Sequence, residues 1–155
     1  MNLTAFLRMI MVSEGTARAA NPYAVTYGYK FVITDFSDHP AVLGWRGEPL
    51  DSLGGEYVGK WSTAAGAYQI IKPTWEALKG RLSLPDFGPA SQDAAATELI
   101  REAQALDLVN AGRIADAIPL CREIWASLPG GTSGQPQRSF AYLMQSYASA
   151  GGGFA

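Results

Sequence analysis

One carboxylic acid, Glu14, continues the apolar face of a predicted N-terminal helix. Leu3, Leu7 and Ile10 recur at three- and four-residue steps, and four residues further the same face reaches Glu14. Because burial and the negative end of a helix dipole both disfavour an anion, we expect the pKa of this carboxyl group to be raised. An acid that keeps its proton near neutral pH is suited to general-acid cleavage of a glycosidic bond. The alternative, equally compatible with the spacing, is a terminal glutamate that points into solvent.

A second candidate site is the run of small residues at 62–69, which begins with Ser62 and Thr63 and ends in Tyr68 and Gln69. Small side chains let the backbone approach a ligand closely, and Gly66 tolerates unusual dihedral angles. The aromatic face and hydroxyl group of Tyr68, with the amide of Gln69, form a combination that suits sugars. An ordinary junction between a loop and a helix, with a tyrosine in the core, explains the same residues equally well.

Two further carboxylates, Asp35 and Asp38, lie in a segment rich in turn-forming residues. Either one, together with Glu14, would complete the two-carboxylate arrangement of a glycoside hydrolase. We favour a simpler interpretation, in which Asp38 bonds to the local backbone and His39 fixes the loop. The single histidine and the single cysteine, Cys121, are far apart in sequence, so we predict neither a metal site nor a Ser-His-Asp triad, and no cofactor.

The elements that must position these residues are predicted to be mostly helical. A first helix is expected over Asn2–Glu14, with Asn2 as its N-cap and Gly15 as its stop. Pro73 suits the first position of a second helix and Ser91 the cap of a third, which carries Asp93 in its first turn. Apolar spacing predicts two more helices, one from Ile114 to Trp125 and one that starts near Phe140.

The N-terminal third of the chain also contains extended sequence. β-Branched and aromatic residues dominate residues 23–34, whereas residues 44–60 are rich in glycine and read as a long exposed loop. We therefore predict an α+β fold that is mostly helical, with a small antiparallel sheet in the N-terminal third.

Length and composition exclude several classes of protein. The 155 residues, 48% hydrophobic, predict a single folded domain over residues 1–155, with a frayed glycine-rich tail at 151–155. No apolar run approaches the roughly 20 residues of a membrane span. A net charge of −2 argues against a nucleic-acid partner. One cysteine and no recognisable secretory leader favour synthesis in a reducing cytosol.

Five motifs resemble, in order and over nearly the whole chain, the lambda-type endolysins, which are lytic transglycosylases of the lysozyme-like family. These are SEGT at 13–16, TDFSDHP at 34–40, STAAGAYQ at 62–69, DFGPASQD at 86–93 and IWASLPG at 124–130. Each motif alone is unspecific, but their combination is highly specific.

The resemblance implies a lysozyme-like fold and cleavage of the β-1,4 bond between N-acetylmuramic acid and N-acetylglucosamine in peptidoglycan. The product would be a 1,6-anhydromuramic acid end, formed without water. Glu14 matches the catalytic glutamate of the family and would serve as acid and then as base. Tyr68 and Gln69, with Ser62 and Thr63 of the same motif, would bind the glycan strand.

The resemblance also implies a monomer that does not insert stably into a membrane. It would wait in the host cytoplasm until a holin opens the inner membrane, and would then act on the cell wall in the periplasm. These expectations about partners and location rest on the resemblance alone.

Two segments depart from the family. Residues 41–61 are longer and carry Glu48, Asp51, Glu56 and two tryptophans, and we expect them to form a lip over the cleft. The segment after Gly130, at 131–135, differs in detail. The added acids keep a hydrolytic muramidase open, in which Glu14 works with an acid such as Asp35 or Glu56. A non-catalytic glycan-binding module is the alternative from another class.

Overall fold

A computed structural model describes residues 1–131 and 136–155 of the chain. The chain divides into two compact units, which consist of Met1–Arg18 with Ala96–Ala155, and of Ala19–Ala95. The single domain over residues 1–155 stays a prediction. Residues 132–135, part of the segment that departs from the family after Gly130, lie outside the described residues.

The first unit is built around its N-terminal helix. Helix α1 (Asn2–Glu14) packs against α4 (Leu106–Asn110) and α6 (Phe140–Ser149), and α4 packs against α5 (Ile114–Cys121). A short 3-10 turn over Thr16–Arg18 follows α1. The predicted apolar face of α1 is buried apart from Leu3, which is half-buried. The large side chains that are fully buried in this unit include Phe6, Met9, Ile10, Ile114 and Ile118 in helices and Leu128 in the turns after α5. Amphipathic spacing thus decides the packing of this unit.

The ends of α1 follow one prediction and contradict another. Gly15 ends the helix in the left-handed conformation (φ 83°), and its N–H donates to the carbonyl oxygen of Val12 at 3.2 Å, as predicted. Asn2 is not the N-cap, because the helix begins at Asn2 itself, after Met1. The Asn2 side chain instead donates to the carbonyl oxygen of Asn110 and accepts from the N–H of Gly153, both at 3.0 Å.

The glycine-rich end, predicted to fray, makes several contacts within the first unit. The Tyr147 hydroxyl group donates to the carbonyl oxygen of Gly153 at 3.0 Å. The N–H of Ala155 donates to the carbonyl oxygen of Gly112 at 3.2 Å. The rings of Tyr147 and Phe154 lie 5.2 Å apart. These bonds tie the end of the chain to the body of the unit.

Helix α4 was not predicted, whereas α5 and α6 differ from prediction mainly at their ends. Helix α5 ends at Cys121, so Ile124 and Trp125 lie in the turns beyond it. Helix α6 begins at Phe140 as predicted, and the hydroxyl oxygen of Ser139 caps it by accepting from the N–H of Tyr142 at 3.2 Å.

The second unit combines a small sheet with helices. Strands β1 (Glu48–Pro49) and β2 (Trp61–Ser62) pair antiparallel. Short 3-10 turns cover Pro22–Ala24, Asp51–Leu53 and Gly55–Tyr57. Helix α2 (Lys72–Leu82) has Pro73 in its first turn, close to its predicted place. The prediction of a mostly helical chain with a small antiparallel sheet is therefore confirmed.

The strands lie outside the segment predicted to be extended. Residues 23–34 contribute only isolated bridges such as Val25 with Val32, because the chain reverses at Gly28 (φ 80°) and Tyr29 (φ 61°). The sheet forms instead where a loop was predicted. Gly47 (φ 93°) allows this pairing, since a Cβ atom at that position would lie 2.5 Å from the carbonyl oxygen of Ser62.

Helix α3 (Pro89–Glu102) begins earlier than predicted, and the boundary between the two units falls within it. Ser91 is not its cap. The Ser91 hydroxyl group donates to the Asp86 carboxylate at 3.0 Å, inside the first turn. Among the residues that the structure describes, no helix is long and apolar enough to cross a membrane.

Candidate active site

Glu14 is the last residue of α1, and its carboxylate is held by a pair of serines from the same unit. The Ser127 hydroxyl group donates to Glu14 Oε1 at 2.5 Å. The Ser13 hydroxyl group donates to the Ser127 oxygen at 2.9 Å. Both serines are buried and Glu14 is half-buried. This chain of hydrogen bonds occupies Oε1 as an acceptor and leaves Oε2 available to carry a proton.

The environment of Glu14 favours the protonated acid. Burial raises the pKa of its carboxyl group above the ordinary value of 4.5, and the hydrogen bond from Ser127 lowers it in part. The upward shift of the Glu14 pKa that the helix pattern predicted is confirmed. A half-buried acid whose pKa is raised can donate its proton to a leaving oxygen.

Sequence reasoning missed Ser127 as a partner of Glu14. The two residues are 113 positions apart, and a serine in the turns after α5 carries no local sign of a distant carboxylate. The only available signal was the position of Ser127 inside the IWASLPG motif.

The other predicted site residues, Ser62, Thr63, Tyr68 and Gln69, belong to the second unit. Ser62 Oγ accepts from the N–H of Ala64 at 3.3 Å, and Thr63 Oγ1 accepts from that of Lys72 at 3.0 Å. Both residues are half-buried, at the end of β2 and just after it. Their hydroxyl groups therefore help to shape the turn that leads away from the sheet.

Tyr68 is a core residue whose hydroxyl group is already bound. Only 1% of the residue is exposed, and its hydroxyl group donates to Asp93 Oδ1 at 2.6 Å. The Tyr23 hydroxyl group donates to the same oxygen at 3.0 Å. Burial, with the hydrogen bond to Asp93, raises the pKa of Tyr68. The prediction that Asp93 lies in the first turn of its helix is wrong, because α3 begins at Pro89 and Asp93 falls beyond that turn. Both phenols donate to its carboxylate. A direct sugar contact by Tyr68 stays a prediction that this burial does not favour.

A tight loop presents Gln69. The N–H of Ala65 donates to the carbonyl oxygen of Ile70 at 3.1 Å, and the return bond is 2.9 Å, which closes the loop. Gln69 adopts a positive φ of 52°, and its amide donates to the carbonyl oxygen of Gly66 at 3.0 Å. Gln69 is half-buried, and its contact with the glycan stays a prediction.

Asp35, Asp38 and His39 have structural partners within the second unit. Asp35 Oδ1 accepts from the N–H of Ser37 at 2.9 Å, and Asp38 Oδ1 accepts from that of His39 at 2.8 Å. The preference for turn chemistry is thus confirmed for both carboxylates. Asp38 does more than form a turn, because it also accepts from the indole of Trp75 and from Lys79.

His39 is buried in a neutral form. Its Nδ1 accepts from the N–H of Ala41 at 3.1 Å, so the proton on Nε2 donates to the carbonyl oxygen of Ile70 at 2.8 Å. Burial lowers the pKa of the ring. With both nitrogens committed to backbone groups, His39 fixes the loop as predicted. No three His, Cys, Asp or Glu side chains of residues 1–131 and 136–155 gather as metal ligands would.

Solved structures place this architecture in a known class. The lysozyme of bacteriophage lambda in complex with a chitohexasaccharide matches with a TM-score of 0.84 and 37% identity, over 99% of this chain and 96% of that one. A second structure of lysozyme from bacteriophage lambda matches with a TM-score of 0.83 and 35% identity over the same shares. The fold is lysozyme-like.

Sequence comparisons narrow the class to a family. Residues 4–154 match the Endolysin family model. The endolysin of Escherichia phage P2 is 42% identical over 97% of this chain and 93% of its own length. The endolysin of Escherichia phage lambda is 38% identical over 96% of this chain and 90% of its own length. The chain belongs to the Endolysin family, and family and fold together indicate a peptidoglycan-cleaving enzyme.

Proposed function

We propose that the chain is a lytic transglycosylase that cleaves the β-1,4 bond between N-acetylmuramic acid and N-acetylglucosamine. The observation that carries the proposal is the half-buried Glu14, whose pKa is raised and whose hydrogen-bond partner in its own unit is a serine. Most hydrolytic glycosidases pair two carboxylates that stand apart across the scissile bond. The turn bonds of Asp35 and Asp38 to the local backbone support a reaction that uses Glu14 alone. Membership of the Endolysin family supports the choice of substrate.

The proposed reaction uses Glu14 twice. Glu14 first donates its proton to the oxygen that leaves with N-acetylglucosamine, and the bond from this oxygen to C1 of the muramoyl residue breaks. The resulting carboxylate then takes the proton of the muramoyl 6-hydroxyl group as its oxygen attacks C1. The product is a 1,6-anhydro ring, Glu14 is protonated again, and no water is consumed.

The second unit would supply contacts to the glycan strand. Ser62, Thr63 and Gln69 are half-buried and carry groups that can hydrogen-bond to sugar hydroxyl and acetamido groups. Tyr68 is fully buried, so we assign it a positioning role, in which its bond to Asp93 holds the segment that ends in Gln69.

Product analysis in oxygen-18 water tests this reaction. Digestion of purified peptidoglycan should release anhydro muropeptides that are lighter by one water than hydrolysed ones and contain no label. A hydrolytic muramidase run in parallel should give labelled reducing ends. If this chain yields only labelled reducing ends, it is a hydrolytic muramidase and the transglycosylase proposal is wrong. Binding to the glycan without cleavage would instead favour the binding module.

Removing the hydroxyl group of Ser127 should move the pH profile of the reaction. Because the bond from Ser127 lowers the pKa of Glu14, Ser127→Ala should raise that pKa further. Glu14 must be protonated to act, so the alkaline limb of kcat/KM should shift to higher pH. Initial rates across the pH range measure the shift. Ser149→Ala, at an exposed serine of the same unit, is the control. An unshifted limb contradicts the role of Ser127.

We extend the proposal to release and location on the basis of family membership. The chain would act as a monomer and depend on a holin, which opens the inner membrane and lets the enzyme pass from host cytoplasm to periplasm. Finding the active protein in the periplasmic fraction before the membrane is permeabilised would contradict this.

A further inference from the structure

An arginine lies over an exposed tryptophan beside the small sheet of the second unit. The guanidinium carbon of Arg46 is 5.4 Å from the ring centroid of Trp61. Arg46 is exposed, and 48% of Trp61 is exposed as well. A cation–π contact of this kind restrains a guanidinium group on one side while leaving its N–H donors free to bind an anion.

The backbone fixes where this pair lies. Trp61 pairs with Pro49 and Ser62 with Glu48 in the antiparallel register. Gly47, next to Arg46, is buried with a φ of 93°, and a Cβ atom there would meet the carbonyl oxygen of Ser62 at 2.5 Å. The chain at Arg46 is therefore packed directly against Ser62, one of the residues that we propose to contact the glycan.

Two of the three acidic residues of 41–61, Glu48 and Asp51, already have partners. Lys30 forms an ion pair with Glu48 at 2.5 Å. Asp51 Oδ1 accepts from the N–H of Gly59 at 2.9 Å. Within residues 1–131 and 136–155, Arg46 itself forms no ion pair. A planar cation held on an aromatic ring is thus available to a carboxylate from outside the chain.

We propose that Arg46, held by Trp61, binds a carboxylate of the peptide stem that is attached to muramic acid. This inference rests on the proposed function, since it assumes a peptidoglycan strand at Ser62. N-acetylglucosamine is uncharged, and in an intact strand the lactyl group of muramic acid is amide-linked to the stem. The carboxylates that a guanidinium group can bind in a fork geometry therefore belong to the peptide. Arg46 is a specificity residue for peptide-bearing strands.

A comparison of three substrates tests the assignment. Uncrosslinked strands are used with their peptides intact, with the peptide carboxylates converted to amides, or with the peptides removed by an amidase, which frees the lactyl carboxylate. Arg46→Gln should lower kcat/KM on intact strands about fivefold more than on amidated strands, as expected for one charge-assisted hydrogen-bonded contact. Lys60→Gln, which removes a charge from the exposed lysine over Tyr57, is the matched control and should show no such difference.

The outcomes separate the possible failures. If Arg46→Gln has the same effect on intact and amidated strands, Arg46 does not bind a peptide carboxylate. If its effect is largest on peptide-free strands, the bound group is the lactyl carboxylate and the assignment is wrong. If Lys60→Gln reproduces the difference, the effect is one of general charge. If the unaltered protein cleaves none of the strands, the proposed function itself has failed.

Discussion

Glu14→Gln is expected to abolish cell-wall cleavage while the protein still folds and still binds glycan. The amide keeps the size of the acid and cannot donate a catalytic proton, so we expect a loss of about 10²–10⁴-fold in kcat/KM. Release of soluble muropeptides from purified peptidoglycan measures the rate, and co-sedimentation with the same material measures binding. Glu123→Gln, at an exposed glutamate of the same unit, is the matched control and should retain full activity.

The same substitution should stabilise the protein at neutral and alkaline pH. The pKa of Glu14 is higher in the folded chain than its ordinary value of 4.5, because burial disfavours the charged form. A group shifted in this direction contributes stability that is fully present below pH 4.5 and is lost as the pH rises through the folded pKa. Glutamine never ionises and therefore avoids that loss.

Denaturant titrations at about pH 4 and about pH 8 measure this effect as a change in the free energy of unfolding. Glu14→Gln should match the unaltered protein at the lower pH and exceed it at the higher one, whereas Glu123→Gln should match it at both. A Glu14→Gln variant that still cleaves overturns the assignment of Glu14 as the acid. Equal stability at both pH values would mean that Glu14 ionises as freely as in the unfolded chain.

Local patterns predicted the features that depend on local spacing. The three- and four-residue steps from Leu3 to Ile10 placed Glu14 on the buried side of α1, and Gly15 ended the helix with a positive φ. The direction of the Glu14 pKa shift follows from the first of these facts, because burial is its cause. The turn chemistry of Asp35 is equally local, since its partner is two residues away.

Features that join distant parts of the chain could not be predicted in this way. The bond from Ser127 to Glu14 spans 113 positions, and that from Tyr23 to Asp93 spans 70. The sheet was misplaced for a related reason. Extended propensity at 23–34 was strong, yet strand pairing depends on how closely two backbones can approach, and Gly47 provides that approach in a segment of low propensity.

Gln92→Glu, an isosteric change, should strongly destabilise the second unit. Gln92 is 1% exposed. Its amide nitrogen donates to the carbonyl oxygens of Tyr23 (3.1 Å) and Phe87 (2.7 Å), and its oxygen accepts from the N–H of Ala67 (2.9 Å). A carboxylate would turn both donated bonds into contacts between a negative oxygen and a carbonyl oxygen. We expect a loss of about 3–5 kcal/mol in unfolding free energy at neutral pH, the cost of an uncompensated buried charge.

The pH dependence of this loss distinguishes charge from shape. A carboxyl group in this place is expected to have a raised pKa, so the variant should recover stability as the pH falls and the protonated acid donates one of the two bonds again. Gln145→Glu, at an exposed position of α6, makes the same change of atoms and should have little effect at either pH. Thermal or denaturant unfolding at about pH 4 and about pH 8 gives the comparison. A pH-independent loss would point to packing, and no loss would show that the bonds of Gln92 do not hold the loop that carries Gln69.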